Sequence, residues 1–226
     1  MPYNRYERKY ITENIAAELL KRRIAGVMRP DAHSGGRYLV NNIYFDDIYG
    51  SFYYGKLSGA YKRDKYRLRW YNNDTSFVRL ERKRKEGILT SKDYVTVTEE
   101  QFYALSNDAD VTEDIPYAEH TAASPMWNDF LNIRRLRRLK PSVSFSYTRE
   151  AYIHESGNAR ITFDSNIAEN LPGARASGVI EVKYSRFLPC FIKELLDGTP
   201  LAQTEMSKYC AAIDIIRRLK PYGSFA

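Results

Sequence analysis

Arginine and lysine recur at every second residue in several short stretches of this chain. Lys65, Arg67 and Arg69 alternate with Tyr66, Leu68 and Trp70. Arg79, Glu81 and Lys83 are backed by Val78 and Leu80, and Arg160, Thr162 and Asp164 by Ile161 and Phe163. Arg5, Glu7 and Lys9 repeat the spacing, as do Glu181 and Lys183 beside Ile180, Val182 and Tyr184. In a strand, residues i and i+2 share a face. Each stretch therefore sets an apolar face against a cationic face that also carries a few carboxylates. Guanidinium forks match phosphate oxygens bidentately, and lysine adds mobile point charge. The interspersed carboxylates can hold a divalent cation that shares those oxygens.

The elements that must position these residues are mostly strands. About eight short alternating segments are expected: Arg5–Ile11, Tyr38–Phe45, Lys65–Tyr71, Ser76–Arg84, Tyr94–Thr98, Ser142–Tyr152, Ala159–Asp164 and Gly178–Tyr184. Helices are expected over Glu13–Met28 behind a Thr12 cap, over Met126–Lys140, Phe187–Leu196 and Glu205–Leu219, and after the capping box Thr98-Glu99-Glu100-Gln101. The acidic stretch Ser106–Ser124 reads as a loop. Two architectures fit the alternation. One is an open antiparallel sheet with a solvated polar face. The other is a closed barrel whose charged interior requires a polyanion, since like charges at i, i+2 repel. Parity does not settle where Arg149 points, because Phe145, Tyr147 and Ala151 share its face.

Composition bounds the class. The chain has 226 residues, enough for one large domain, and 35 basic against 28 acidic residues give a net charge of +7. Hydrophobic residues make up 43%, so a packed core is expected and disorder throughout is excluded. No apolar run approaches a membrane span, and Met1-Pro2-Tyr3-Asn4-Arg5 does not open a signal peptide. The two cysteines, Cys190 and Cys210, make no disulfide framework and read as core thiols. A reducing cytoplasm is the expected compartment.

In order along the chain, Arg5-Tyr6-Glu7-Arg8-Lys9-Tyr10, Ile43-Tyr44-Phe45-Asp46, the run from Gly59 through Arg63 to Trp70-Tyr71, Leu80-Glu81-Arg82-Lys83, Tyr147-Thr148-Arg149, Val179-Ile180-Glu181-Val182-Lys183 and Ser207-Lys208-Tyr209 resemble the VTC domain. This is the polyphosphate-polymerase branch of the triphosphate tunnel metalloenzymes. The resemblance covers about residues 3 to 215. It implies an α+β fold in one domain, residues 1–226: an eight-stranded antiparallel closed barrel, the triphosphate tunnel, with helices packed outside. It also implies transfer of the ATP γ-phosphoryl group to a growing inorganic polyphosphate chain, with Mn²⁺ or Mg²⁺.

Carried over residue by residue, Lys9, Arg67, Arg69, Lys83, Arg149 and Arg160 would hold phosphates, with Lys65, Lys183 and Ser207 beside them. Arg67, Arg69 and Arg149 would also serve catalysis, and Lys208 would lie near the transferring phosphate. Glu181 would be the principal metal ligand, with Glu7 and Glu81. Two positions depart from the family pattern. Arg5 stands where the wider superfamily begins Glu-x-Glu-x-Lys, which points away from the cyclase and thiamine-triphosphatase branch. Glu205 stands where eukaryotic polymerase subunits carry a further lysine. ATP or another triphosphate and inorganic polyphosphate are the implied partners, and a membrane protein is a further one, because eukaryotic members work in membrane complexes.

Two other functions fit the same cationic face: a tunnel triphosphatase, and a non-catalytic module that binds polyphosphate or another polyanion. The alternation argues against nucleic acid, because it places Tyr66, Trp70 and Tyr184 on the apolar face rather than beside the basic groove. The near P-loop Gly50–Lys56 has Leu57 where a Ser or Thr belongs and is set aside. His33, His120 and His154 lack metal-ligand spacing. The run Arg134–Lys140 reads as a solvated helix face with Leu136 and Leu139 turned inward.

Overall fold

The structure, a computed structural model, describes residues 5–31, 36–111, 125–172 and 178–219. All eight expected strands are present. They are β1 (Arg5–Ile11), β3 (Arg37–Asp46), β4 (Lys62–Tyr71), β5 (Asp74–Glu86), β6 (Leu89–Val97), β7 (Lys140–His154), β8 (Ala159–Ser165) and β9 (Val179–Ser185). Two-residue strands β2 (Arg29–Pro30) and β10 (Ala202–Gln203) join them. The described helices are α1 (Asn14–Ala25), α2 (Ser51–Leu57), α3 (Glu99–Ser106), α4 (Pro125–Arg137), α5 (Cys190–Asp197) and α6 (Lys208–Leu219). The fold is α+β and its strand pairs are antiparallel.

The chain forms two compact units. The first comprises Met1–Leu39, Ser146–Asn170 and Ala174–Ser207. Its strands run in the order β10, β1, β9, β8 and the second half of β7. The inward side of this sheet is apolar: Ile161, Phe163, Ile180, Val182 and Tyr184 meet Leu20 and Ile24 from α1 and Ile192 and Leu196 from α5. Burying each such aliphatic chain contributes roughly 1.5–3 kcal/mol. Helix α1 is shorter than its apolar stripe implies. Thr12 does not cap it. Its hydroxyl donates to the Pro200 carbonyl at 2.7 Å, Glu13 takes the cap position, and Val27 lies beyond the helix end and is exposed.

The second unit comprises Val40–Phe145, Leu171–Gly173 and Lys208–Ala226. Here Ile43, Phe45, Tyr66, Leu68, Val78, Leu80, Val95 and Val97 line one sheet face, covered by Phe102 and Leu105 of α3 and Trp127 and Phe130 of α4. The capping box forms as expected: Gln101 N donates to Thr98 Oγ1 at 3.2 Å, and Thr98 N donates to Gln101 Oε1 at 2.9 Å. Strand β6 begins at Leu89, earlier than the expected Tyr94, because the β5–β6 hairpin closes tightly at Gly87. Gly87 has φ of +57°, and a Cβ there would meet the Tyr61 ring at 2.8 Å. Only glycine fits.

Three smaller expectations change. Leu136 does not turn inward. It is 82% exposed, and Leu139 alone is buried. Around it, Arg134 and Lys140 both pair with Asp108, and Arg137 pairs with Asp47. Cys190 is exposed at the start of α5, and only Cys210 is a core thiol. The near P-loop is the start of α2, where Asp46 and Asp47 carboxylates accept the first amides, so no phosphate cradle forms. His154 accepts from Ser156 N and rests against Phe191. His33, His120 and the greater part of the expected 106–124 loop lie outside the described residues. No helix among the described residues is long and apolar enough to cross a membrane.

Candidate functional site

In the second unit, strand register arranges the polar face into cross-strand rows. Lys65, Lys83 and Lys92 stand directly opposite one another on β4, β5 and β6. The next row is Tyr44, Arg67, Glu81 and Tyr94, and the third is Asn42, Arg69, Arg79 and Thr96. Like charges directly opposite destabilise a sheet. This one holds its arginine head groups in place. Arg69 donates from Nε and Nη2 to Asn42 Oδ1 at 3.0 and 2.8 Å. Arg67 donates to Glu81 Oε2 from Nε at 2.8 Å and to the Tyr44 hydroxyl at 2.6 Å. The Arg79 guanidinium lies 4.9 Å from the Phe77 ring centre and 4.7 Å from that of Tyr94.

Glu81 also accepts from Lys92 at 2.8 Å. Burial alone would raise its pKa, but the charges of Arg67, Arg69 and Lys92 prevail and hold the carboxyl well below the usual range. Burial likewise works to raise the pKa of Tyr44, yet Arg67, Arg69 and Lys65 bring it down to about 8. Burial lowers the Lys92 pKa against the pull of Glu81.

Helix α6 begins at Lys208 rather than at Glu205, so the lysine stands in its first turn, half-buried. The neighbouring Tyr209 fixes that turn. Its ring stacks on Tyr44 at 4.9 Å, and its hydroxyl donates to Asp46 Oδ2 at 2.5 Å. Asp46 also accepts the amides of Phe52 and Tyr53. One turn along α6, Asp214 accepts the Tyr53 hydroxyl, whose pKa that bond pushes up to about 12.

The first unit has its own charged face. Glu7, Lys183 and Arg160 form one row, and Lys9, Glu181, Thr162 and Ala151 the next. Asp164 and Arg149 form a third. Register thus settles Arg149: it shares this face and donates from Nε and Nη2 to both Asp164 oxygens, at 2.5 and 2.7 Å. Burial opposes its charge, but Tyr147, Asp164 and Glu181 outweigh it, and its pKa is raised. Arg160 pairs with Asp31 at 2.9 Å. Lys9 lies 3.4 Å from Glu7 and donates to the Met206 carbonyl at 3.4 Å, which ties it to the segment ending in Ser207. Lys183 lies 3.2 Å from Glu181 and 3.9 Å from Glu7.

The structure therefore brings Glu7, Lys9, Arg149, Arg160, Glu181 and Lys183 onto one face, with Ser207 in the same unit. It brings Lys65, Arg67, Arg69, Glu81 and Lys83 onto another, with Lys208 in that unit. The sequence places Arg79 and Asp164 on these charged faces but gives no role to Lys92, Tyr44 or Asn42. Lys92 was within reach: counting back from a turn at Gly87 places it opposite Lys83.

Among the described residues, no group of three His, Cys, Asp or Glu side chains is placed to hold a metal ion. Glu7 and Glu181, diagonal neighbours on β1 and β9, are the carboxylates whose donor chemistry suits a hard divalent ion. Such an ion is commonly held by one or two carboxylates and completes its shell from phosphate oxygens. Glu81 has Arg67 and Lys92 on its two oxygens.

The fold is shared with solved structures. The protein HpAC1 from Hippeastrum, a candidate adenylyl cyclase described as having a dominant triphosphatase activity, superposes with a TM-score of 0.59 at 16% identity, covering 96% of this chain and 97% of that one. An adenylate cyclase candidate from Bacillus halodurans gives 0.54 at 15% identity, covering 89% and 92%. The PH1819 protein from Pyrococcus horikoshii gives 0.50 at 14%, covering 93% and 98%. No curated protein matches the chain in sequence. The family model for the VTC domain matches residues 4–217, so both charged faces fall within one family pattern, and the chain belongs to the VTC domain family.

Proposed function

We propose that the chain, residues 1–226, works as a single domain that transfers the γ-phosphoryl group of ATP to a growing inorganic polyphosphate chain. The supporting observation is the cross-strand row Lys65, Lys83 and Lys92, flanked by Arg67, Arg69 and Arg79. That density of facing cations is costly without a polyanion and suits repeated phosphate groups. A terminal oxygen of the chain would attack the γ-phosphorus, and the β–γ bridging oxygen would leave on ADP. This chemistry needs positioning and charge neutralisation more than covalent help.

Lys65, Arg67, Arg69, Lys83 and Lys92 are the phosphate-binding residues of the second unit, and Lys9, Arg149, Arg160, Lys183 and Ser207 those of the first. Arg67 and Arg69 in the second unit, and Arg149 in the first, also serve catalysis by neutralising phosphate charge. Lys208, fixed by Tyr209 at the start of α6, neutralises charge that develops in the transfer. Glu181 and Glu7 would hold Mn²⁺ or Mg²⁺, which supplies Lewis-acid charge neutralisation at phosphate oxygens.

A second reading, triphosphatase activity, draws on the fold shared with the Hippeastrum protein. Incubation with ATP and Mn²⁺ separates the two. Long phosphate chains that disappear on Lys208→Ala and Glu181→Ala support the polymerase. Orthophosphate release without chain growth supports the triphosphatase. Tight binding without turnover leaves a polyphosphate-binding module.

A further inference from the structure

Two donors on β8 stand out on the first unit's charged face. The Thr162 hydroxyl is buried, with the residue 1% exposed, and makes no hydrogen bond. Two residues earlier on the same face, Arg160 Nε is also buried without a hydrogen-bond partner, although the far end of that guanidinium pairs with Asp31. Around them the other head groups are engaged: Arg149 with Asp164, Lys183 with Glu181, and Lys9 with Met206. Leaving a buried hydroxyl unsatisfied costs free energy that native proteins rarely tolerate without a use. Two neighbouring orphan donors on one strand face select for an acceptor that takes both.

Register supplies its chemistry. Opposite Thr162 stand Glu181 on β9 and Ala151 on β7, and opposite Arg160 stands Lys183. Ala151 is small, so no long side chain on β7 competes for the hydroxyl. An oxyanion accepting from Arg160 Nε and Thr162 Oγ1, with Lys183 alongside, satisfies both orphans and is charge-matched.

We propose that Thr162 is a phosphate-binding residue, its hydroxyl donating together with Arg160 Nε to one phosphoryl oxygen of a triphosphate or polyphosphate chain. This rests on the function proposed above and adds a second neutral hydroxyl, beside that of Ser207, to a set made mostly of charges. Thr162→Val keeps the shape and removes the hydroxyl, and Thr162→Ser keeps the hydroxyl. The full chain is titrated with inorganic tripolyphosphate by calorimetry and melted without ligand.

Loss of one such hydrogen bond should weaken tripolyphosphate binding about 5–10-fold in Thr162→Val, while its ligand-free melting temperature stays level or rises, because a buried orphan has been removed. Thr162→Ser should bind within about twofold of the unaltered protein. Equal affinity in Thr162→Val, or a lower ligand-free melting temperature showing that the hydroxyl is already satisfied inside the protein, overturns the assignment. Failure of the unaltered protein to bind tripolyphosphate overturns the underlying function and this inference together. Loss confined to the valine variant cannot be confused with that result.

Discussion

Arg67 grips Glu81 with two nitrogens, Nε at 2.8 Å and Nη2 at 2.6 Å from the same carboxylate oxygen, while Lys92 holds the other oxygen at 2.8 Å. Glu81 is 2% exposed and ionised in the midst of cations. Without it, the neighbouring like charges of β4, β5 and β6 would meet with less compensation. The carboxylate thus acts as an internal counterion that keeps the face folded before an anionic ligand arrives.

Glu81→Gln should accordingly lower ligand-free stability by on the order of 3 kcal/mol, the usual cost of breaking one side of a buried pair. Urea unfolding measures it, and added tripolyphosphate should recover part of the loss by replacing the missing negative charge. The folded pKa is depressed, so this stabilisation is present above the ordinary carboxylate range and is lost as pH falls below it. An unchanged urea midpoint would sink the counterion role.

Tyr44 predicts a second, alkaline dependence. Its hydroxyl lies 2.6 Å from Arg67, and its pKa is about 8. A phosphate beside Arg67 and Lys65 favours the neutral phenol. Phenolate formation therefore competes with binding, and affinity should fall as pH rises through about 8. Between pH 7 and pH 9, tripolyphosphate affinity is expected to drop about 3–10-fold, on the scale of one ionisation coupled to binding. Tyr44→Phe should flatten that limb. An identical pH profile in the variant would remove Tyr44 from the account.

The start of α6 yields a kinetic prediction. Lys208→Ala should cut chain synthesis by about 100-fold, the scale seen when one transition-state donor is removed. Tripolyphosphate affinity should change little. Tyr209→Phe, which loses the hydroxyl's hydrogen bonds with Asp46 and Ser142, should lower stability by about 1–2 kcal/mol and slow synthesis less severely. Equal losses of affinity and rate in Lys208→Ala would mark it as a ground-state binding residue instead.

Glu181 and Glu7 differ in their surroundings, and metal dependence should show it. Glu181 is nearly buried beside Lys183, whereas Glu7 is a third exposed. Glu181→Ala should raise the Mn²⁺ concentration for half-maximal activity about tenfold or more, and Glu7→Ala should raise it less, as expected for ligands of unequal burial. The reverse order would reassign the principal ligand.

Much of this was legible in the linear chain. Alternation is a local, period-two property, so Lys65, Arg67 and Arg69, and Glu181 with Lys183, declared their faces without any knowledge of their neighbours. The capping box at Thr98 and the apolar backs of the strands were equally local. The order of motifs from Arg5 to Tyr209 carried the family. What tertiary structure decided is who stands opposite whom. Glu81 gained Lys92 through a register set by the Gly87 turn, and Arg149 found its face by meeting Asp164 across the β7–β8 ladder. Lys9 lies opposite Glu181, and Asp46 accepts the Tyr209 hydroxyl, across most of the chain's length. Periodicity says which side of a strand a residue takes. Register, which sets its partners, arises only when distant strands pair.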